Sequence, residues 1–141
     1  MMKIFRLVGI VLAICLMCGA FVACNNGGGD ETTTEAVKTI TVNVEIYEDD
    51  NVSGKAKYEG VVKYEGNDPT AYDILDWFCT VEEGIAFEAS KDKTVTKIGD
   101  IVIESPAYLS ACYKNKGINN SFEKLTDEVI TDGSTVIFYV K

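Results

Sequence analysis

Residues 66–79 read GNDPTAYDILDWFC, and this stretch decides the fold class. Gly66, Asn67, Asp68 and Pro69 interrupt whatever regular structure precedes them. Thr70 is a good N-cap, and Asp73 three positions on completes a capping-box-like pair with Asp in place of the usual Glu. Ala71, Ile74, Leu75, Phe78 and Cys79 then recur at helical spacing, while Asp73, Asp76 and Thr80 lie off that stripe. Trp77 stands beside the stripe rather than at its centre. The spacing predicts one amphipathic helix of about three turns, ending near Gly84.

Strand patterns flank this helix on both sides. Residues 39–48, TITVNVEIYE, alternate cleanly: Ile40, Val42, Val44 and Ile46 on one face, Thr41, Asn43, Glu45 and Tyr47 on the other. The polar cluster DDNVSG comes next as a turn. Residues 56–65 form the second arm of a hairpin, with Tyr58, Val62 and Tyr64 on one face. Beyond the helix, strands are expected over residues 84–90, 94–98, 101–104 and 108–114. Pro106 marks a break or a sheet edge. Residues 116–124 read as a polar loop pinned to the core by Phe122. Asp132-Gly133 is a turn before a last strand at residues 135–140. Two strands, one helix and then several strands give an α+β domain.

The N-terminal stretch is read apart from this domain. Lys3 and Arg6 precede an uncharged run, LVGIVLAICLMCGAFVA, at residues 7–23. A basic start, an apolar middle and small residues at the end form a secretory signal. The run ends FVAC, which resembles the lipobox of bacterial lipoproteins, with Phe21 where Leu is usual. That resemblance implies cleavage after Ala23 and lipidation of Cys24. Cys15 and Cys18 fit it less well, being preceded by Ile14 and Met17. A retained transmembrane anchor is the alternative, since the apolar run is about the minimum that spans a bilayer. Either way the rest of the chain faces outward, on the cell membrane. Residues 24–38 are then the lipidated Cys and a flexible Gly- and Thr-rich tether spanning about 20 Å, and residues 39–141 are the folded domain.

Composition removes several function classes. The chain has 141 residues, no His and a net charge of −9. Residues 1–23 hold two bases and no acid, so residues 24–141 carry 22 acids against 11 bases, a net −11. Without imidazole there is no Ser-His-Asp or Cys-His pair and no His ligand for zinc. The acidic balance opposes nucleic-acid binding, which needs an electropositive surface. No phosphate loop or nucleophile elbow is present, and an enzyme is not expected.

Three segments resemble a known family: ITVNVEIY, GNDPTAYDILDWF, and AYLSACYKNKGIN with ITDGSTVIFYV. The order and the motifs look like the bacterial surface domain DUF4430, which is similar to the C-terminal domain of transcobalamin and intrinsic factor. The resemblance covers residues 39–141. Tyr108-Leu109 stands where the family commonly has a Trp-aliphatic pair, Asn115 precedes Lys116 rather than Gly, and Ser134 replaces the second Asp of an Asp-Gly-Asp turn. The resemblance implies a β-grasp (ubiquitin-like) fold, with one helix packed on a mixed, mostly antiparallel sheet. It further implies a soluble-ligand-binding role, since in the vertebrate relatives this domain closes over cobalamin. A corrinoid or another small molecule is therefore one expected partner. A surface protein, met by an adhesive or spacer domain, is the other.

Tyr108, Tyr113 and Asn115 occupy the segment matching the family's aromatic strand and turn; they read as a ligand lip, or as ordinary sheet packing. Trp77 is a second candidate contact, or a side chain partly buried on the sheet. Cys79 on the helix and Cys112 on a strand allow a disulfide if both face one core; two buried free thiols are the commoner outcome. Glu48, Asp49, Asp50 and Asn51 cluster oxygens of the kind calcium uses, but without EF-hand spacing, and read as a solvated turn. Asp73 and Asp76 read as helix-surface acids. No metal or cofactor is expected.

Overall fold

The computed structural model describes residues 36–141. The expected signal sequence, Cys24 and the expected tether up to residue 35 lie outside the described residues. Strand β1 (Thr39–Tyr47) pairs antiparallel with β2 (Tyr58–Glu65) as the alternation predicts. Helix α1 (Ala71–Trp77) comes after them and continues into a π-helical turn, Phe78–Glu82, so helical backbone stops two residues before Gly84, whose φ is +61°. Three short strands come next: β3 (Phe87–Ala89), β4 (Val95–Ile98) and β5 (Ile101–Val102). Then come β6 (Leu109–Tyr113), a 3-10 turn at Ile118–Asn120, and β7 (Thr135–Val140).

The main sheet has the order β2-β1-β7-β6. Its central pair, β1 and β7, runs parallel, with Val44 opposite Val136 and Ile46 opposite Phe138. The outer pairs are antiparallel. One helix therefore packs on a mixed sheet, in an α+β arrangement. The expectation of a single sheet is corrected: β3, β4 and β5 form a second, antiparallel sheet. Their strands are two to four residues long and carry turn residues between them, which periodicity cannot assign to one sheet or the other.

The capping box forms. The Thr70 hydroxyl oxygen accepts from the Asp73 N–H at 3.3 Å, and the Thr70 N–H donates to Asp73 Oδ2 at 2.9 Å. The helix stripe then meets the inner face of the sheet. Ile74, Leu75, Phe78 and Cys79 are fully buried against Val42, Val44 and Ile46 of β1, Val62 of β2, Ala111 of β6 and Phe138 of β7. Full burial of a side chain the size of Leu75 or Phe78 contributes about 1.5–3 kcal/mol. Gly60 lets the helical segment come close: a Cβ there would stand 2.9 Å from the Phe78 ring. Val95, Ile98 and Ile101 of the second sheet close the same core.

The outer face of the main sheet is not solvated throughout. Tyr47, Ala56, Cys112, Ile137 and Tyr139 form a smaller buried cluster there, edged by Val52 and Ile118. The β1–β2 connection folds back over it, with the Lys57 N–H donating to the Ile46 carbonyl at 2.7 Å. This is why Tyr47, placed by alternation on the polar face of β1, is buried.

Candidate functional site

A concavity of about 650 Å³ opens at the end of β6. Its base is Tyr113, whose hydroxyl donates to the Val129 carbonyl at 3.1 Å. Phe122 meets the Tyr113 ring edge-on, with centroids 5.1 Å apart, and the Lys116 ammonium lies 4.9 Å over it. Burial pushes the Tyr113 phenol above its ordinary value of 10.0; the Glu128 charge adds to this and hydrogen bonding with Thr131 opposes it. The group stays a neutral phenol at physiological pH.

One wall is the segment before β7. The Ala71 N–H donates to the Glu128 carbonyl at 3.1 Å and the Ile130 N–H to the Pro69 carbonyl at 2.8 Å. Thr70 and Val129 form an isolated antiparallel bridge. The rim is the Asp132-Gly133 turn. Asp132 Oδ1 accepts from the Thr41 N–H at 2.7 Å, Gly133 donates to the Thr41 carbonyl at 2.8 Å, and its φ of +75° suits glycine. Ser134 Oγ donates to the Thr131 carbonyl at 2.8 Å. Asn115 and Lys116 stand exposed at the mouth.

The electrostatics of the mouth are mixed. Lys114 is matched by Glu45, 2.6 Å away on a carboxylate whose side chain is only 17% exposed. Lys116 has no carboxylate partner among the described residues. The concavity thus offers one unmatched ammonium, the Asn115 amide, the Thr131 and Ser134 hydroxyls and the Glu128 carboxylate. Such a set can donate and accept hydrogen bonds and make one charge contact.

The four expected ligand residues separate. Tyr113 and Asn115 share this concavity. Tyr108 does not: it lies at the opposite end of β6, about 17 Å of strand away, beside a different depression. Its side chain is 51% exposed, whereas Tyr113 is 9% exposed. Trp77 is half-buried and stacks edge-on against Tyr64 at 5.3 Å, so it packs the helix on the sheet. The structure thus brings Tyr113 and Asn115 together and leaves Tyr108 apart from them. Lys116, Glu128 and Thr131 went unread. The Asp132-Gly133 turn was the available signal, since a turn entering a central strand brings the segment before it to the end of that strand's neighbour.

Of the two outcomes open for Cys79 and Cys112, the structure has the buried free thiols. Cys79 belongs to the core between helix and sheet, and Cys112 to the cluster on the outer face. Strand alternation requires it: Ala111 and Tyr113 face the helix, so Cys112 between them faces away. The acidic loop is a turn, with Glu48 paired to Lys57 at 2.8 Å and Asp49 Oδ1 accepting from the Asn51 N–H at 2.9 Å. Among the described residues no three acidic or Cys side chains group around a metal-sized site. Asp73 caps the helix, and the carbonyl of Asp76 accepts from Thr80 Oγ1 at 2.7 Å. No helix among the described residues is long and apolar enough to cross a membrane.

No protein-family model and no curated protein matches the chain. Among solved structures, the chain is similar to a protein from Ruminococcus gnavus, provisionally described as metal binding, at 14% identity and a TM-score of 0.40, over 74% of this chain and 96% of that one.

Proposed function

We propose that the chain is a membrane-anchored lipoprotein whose outward-facing β-grasp domain binds a small molecule without catalysis. The basic start, apolar run and FVAC sequence support the anchor at Cys24. The parallel β1–β7 pair flanked by antiparallel strands, with one helix across the inner face, supports the β-grasp reading. The observation that carries the binding reading is the concavity at Tyr113 and Asn115. It lies at the segment that resembles the DUF4430 and transcobalamin C-terminal domains.

That resemblance makes a corrinoid the first ligand class to test. The amide side arms of a corrinoid suit Asn115, Thr131 and Ser134 as hydrogen-bond partners. A surface spacer or protein-interaction domain without a ligand is the second reading, favoured by the burial of Tyr113 beneath Lys116.

A titration separates the two. The full chain, purified in a polyoxyethylene detergent, is mixed with cobinamide and with cobalamin and followed in the visible spectrum. The binding reading expects a saturable change, weakened about tenfold, or about 1.4 kcal/mol, by Asn115→Ala combined with Lys116→Ala. An unchanged spectrum up to about 500 μM, where even a weak complex of about −4.5 kcal/mol would form appreciably, favours the spacer. The anchor is tested by Cys24→Ala, which is expected to abolish processing and lipid labelling.

A further inference from the structure

We propose that the depression at the Tyr108 end of β6 is a second binding site, and that it takes a neutral saccharide. It goes beyond the ligand reading above, because it is a separate cavity served by separate residues. The depression has a volume of about 500 Å³ and is lined by Asp92, Lys93, Thr94, Tyr108, Glu123 and Lys124, among others.

Three observations define its chemistry. The first is a fixed aromatic surface. Tyr108 is 51% exposed, yet its backbone is held by a reciprocal pair with Lys141: its N–H donates to the Lys141 carbonyl at 3.0 Å, and the Lys141 N–H donates back at 2.9 Å. A ring presented on a fixed backbone costs little entropy when a ligand packs on it. The second is an oriented polar rim. Asp92 is held by hydroxyl donors on both oxygens, from Ser90 and from Thr94. Lys93 is tied to Asp73 at 3.6 Å and lies 4.8 Å over the Tyr72 ring. Each carboxylate keeps lone pairs for further donors. The third is charge balance. Asp92 and Glu123 line the depression together with Lys93 and Lys124, two acids and two bases, although the chain is strongly acidic.

A pyranose ring answers all three. Its C–H face packs on an aromatic ring, and its hydroxyls donate and accept around the edge. An anionic ligand would have to approach against the net charge of the chain. A peptide strand would need a free edge on β6, and the Ala111 carbonyl on that edge already accepts from the Phe122 N–H at 2.7 Å.

The test uses the full chain in the same sugar-free detergent, titrated calorimetrically with malto-, cello-, xylo- and manno-oligosaccharides. At least one is expected to bind. Tyr108→Ala is expected to weaken that binding by about tenfold or more, whereas Tyr108→Phe retains it because the ring face is kept. Asp92→Asn is expected to weaken it by about threefold to tenfold. Circular dichroism of each variant should match the parent, and any cobinamide affinity should be unchanged in Tyr108→Ala, which separates this site from the other. The proposal is overturned if no oligosaccharide binds up to about 5 mM. Equal binding by Tyr108→Ala and the parent overturns it as well.

Discussion

The Tyr113 hydroxyl donates to the Val129 carbonyl, joining the end of an edge strand to a segment sixteen residues on that has no strand of its own. This bond and the bridge between Thr70 and Val129 hold the wall of the concavity. Tyr113→Phe removes the donor and leaves a partly buried carbonyl without it. The expected cost is about 1 kcal/mol, read as a fall of a few degrees in Tm for a domain of about a hundred residues. Hydrogen exchange should quicken at residues 128–131 more than in β1. A uniform change would show that the bond does not hold the wall.

Gly99 sits where the second sheet meets β2. Its φ is +60°, and a Cβ there would overlap the Tyr58 hydroxyl and come within 2.7 Å of Tyr58 Cζ. That hydroxyl donates to Asp100 Oδ1 at 2.5 Å and accepts from the Asp100 N–H at 3.2 Å. Gly99→Ala is therefore expected to cost about 1–3 kcal/mol, combining backbone strain with displacement of Tyr58. Tyr58→Ala in the Gly99→Ala background should relieve the steric part, so the two losses will not add. Additive losses in denaturant unfolding would contradict this packing.

Asp73 sets an acid limit on stability. Burial pushes its carboxyl up, but hydrogen bonds from Thr70 and the nearby Lys93 ammonium outweigh this and hold it below its ordinary 3.8. A depressed carboxylate contributes stability that is present above the unfolded value and lost as pH falls through the folded one. Asp73→Asn is expected to destabilise by about 0.5–1 kcal/mol at neutral pH, since solvent screens the exposed side of the carboxyl. The difference should shrink below about pH 4. A difference independent of pH would remove the charge from this account.

Cys79 and Cys112 should behave as apolar side chains. Burial, with the Asp76 charge adding, pushes the Cys79 thiol up to about 12, and burial raises Cys112 as well. Iodoacetamide at about pH 8 should leave both untouched in the folded chain and alkylate both in guanidinium. A reducing agent should not alter Tm. A Cys79–Cys112 linked peptide in a nonreducing digest would contradict the placement of the two thiols on opposite faces of the sheet.

Much of the fold was legible because it rests on local signals. Thr70 and Asp73 mark the helix start, the stripe from Ala71 to Cys79 marks its buried face, and strict alternation marks β1. What escaped depends on long-range packing. Residues 135–140, TVIFYV, are apolar on both faces, and such a run signals a sheet covered on both sides. By that signal Ile137 and Tyr139 locate the outer cluster and place Cys112 in it. The concavity was half legible: Tyr113 and Asn115 lie on a patterned strand and its turn. Glu128 and Thr131 belong to an unpatterned segment whose position is set by hydrogen bonds to Pro69 and Ala71, and no local spacing encodes those partners.

Binding at the end of β6 is most directly tested by hydrogen-exchange mass spectrometry of the full chain with and without cobinamide. The binding account predicts slowed exchange at residues 113–117 and 128–135, little change in β2, and loss of that protection in the Asn115→Ala, Lys116→Ala double variant. Identical exchange with and without saturating cobinamide, or protection confined to other segments, would contradict it.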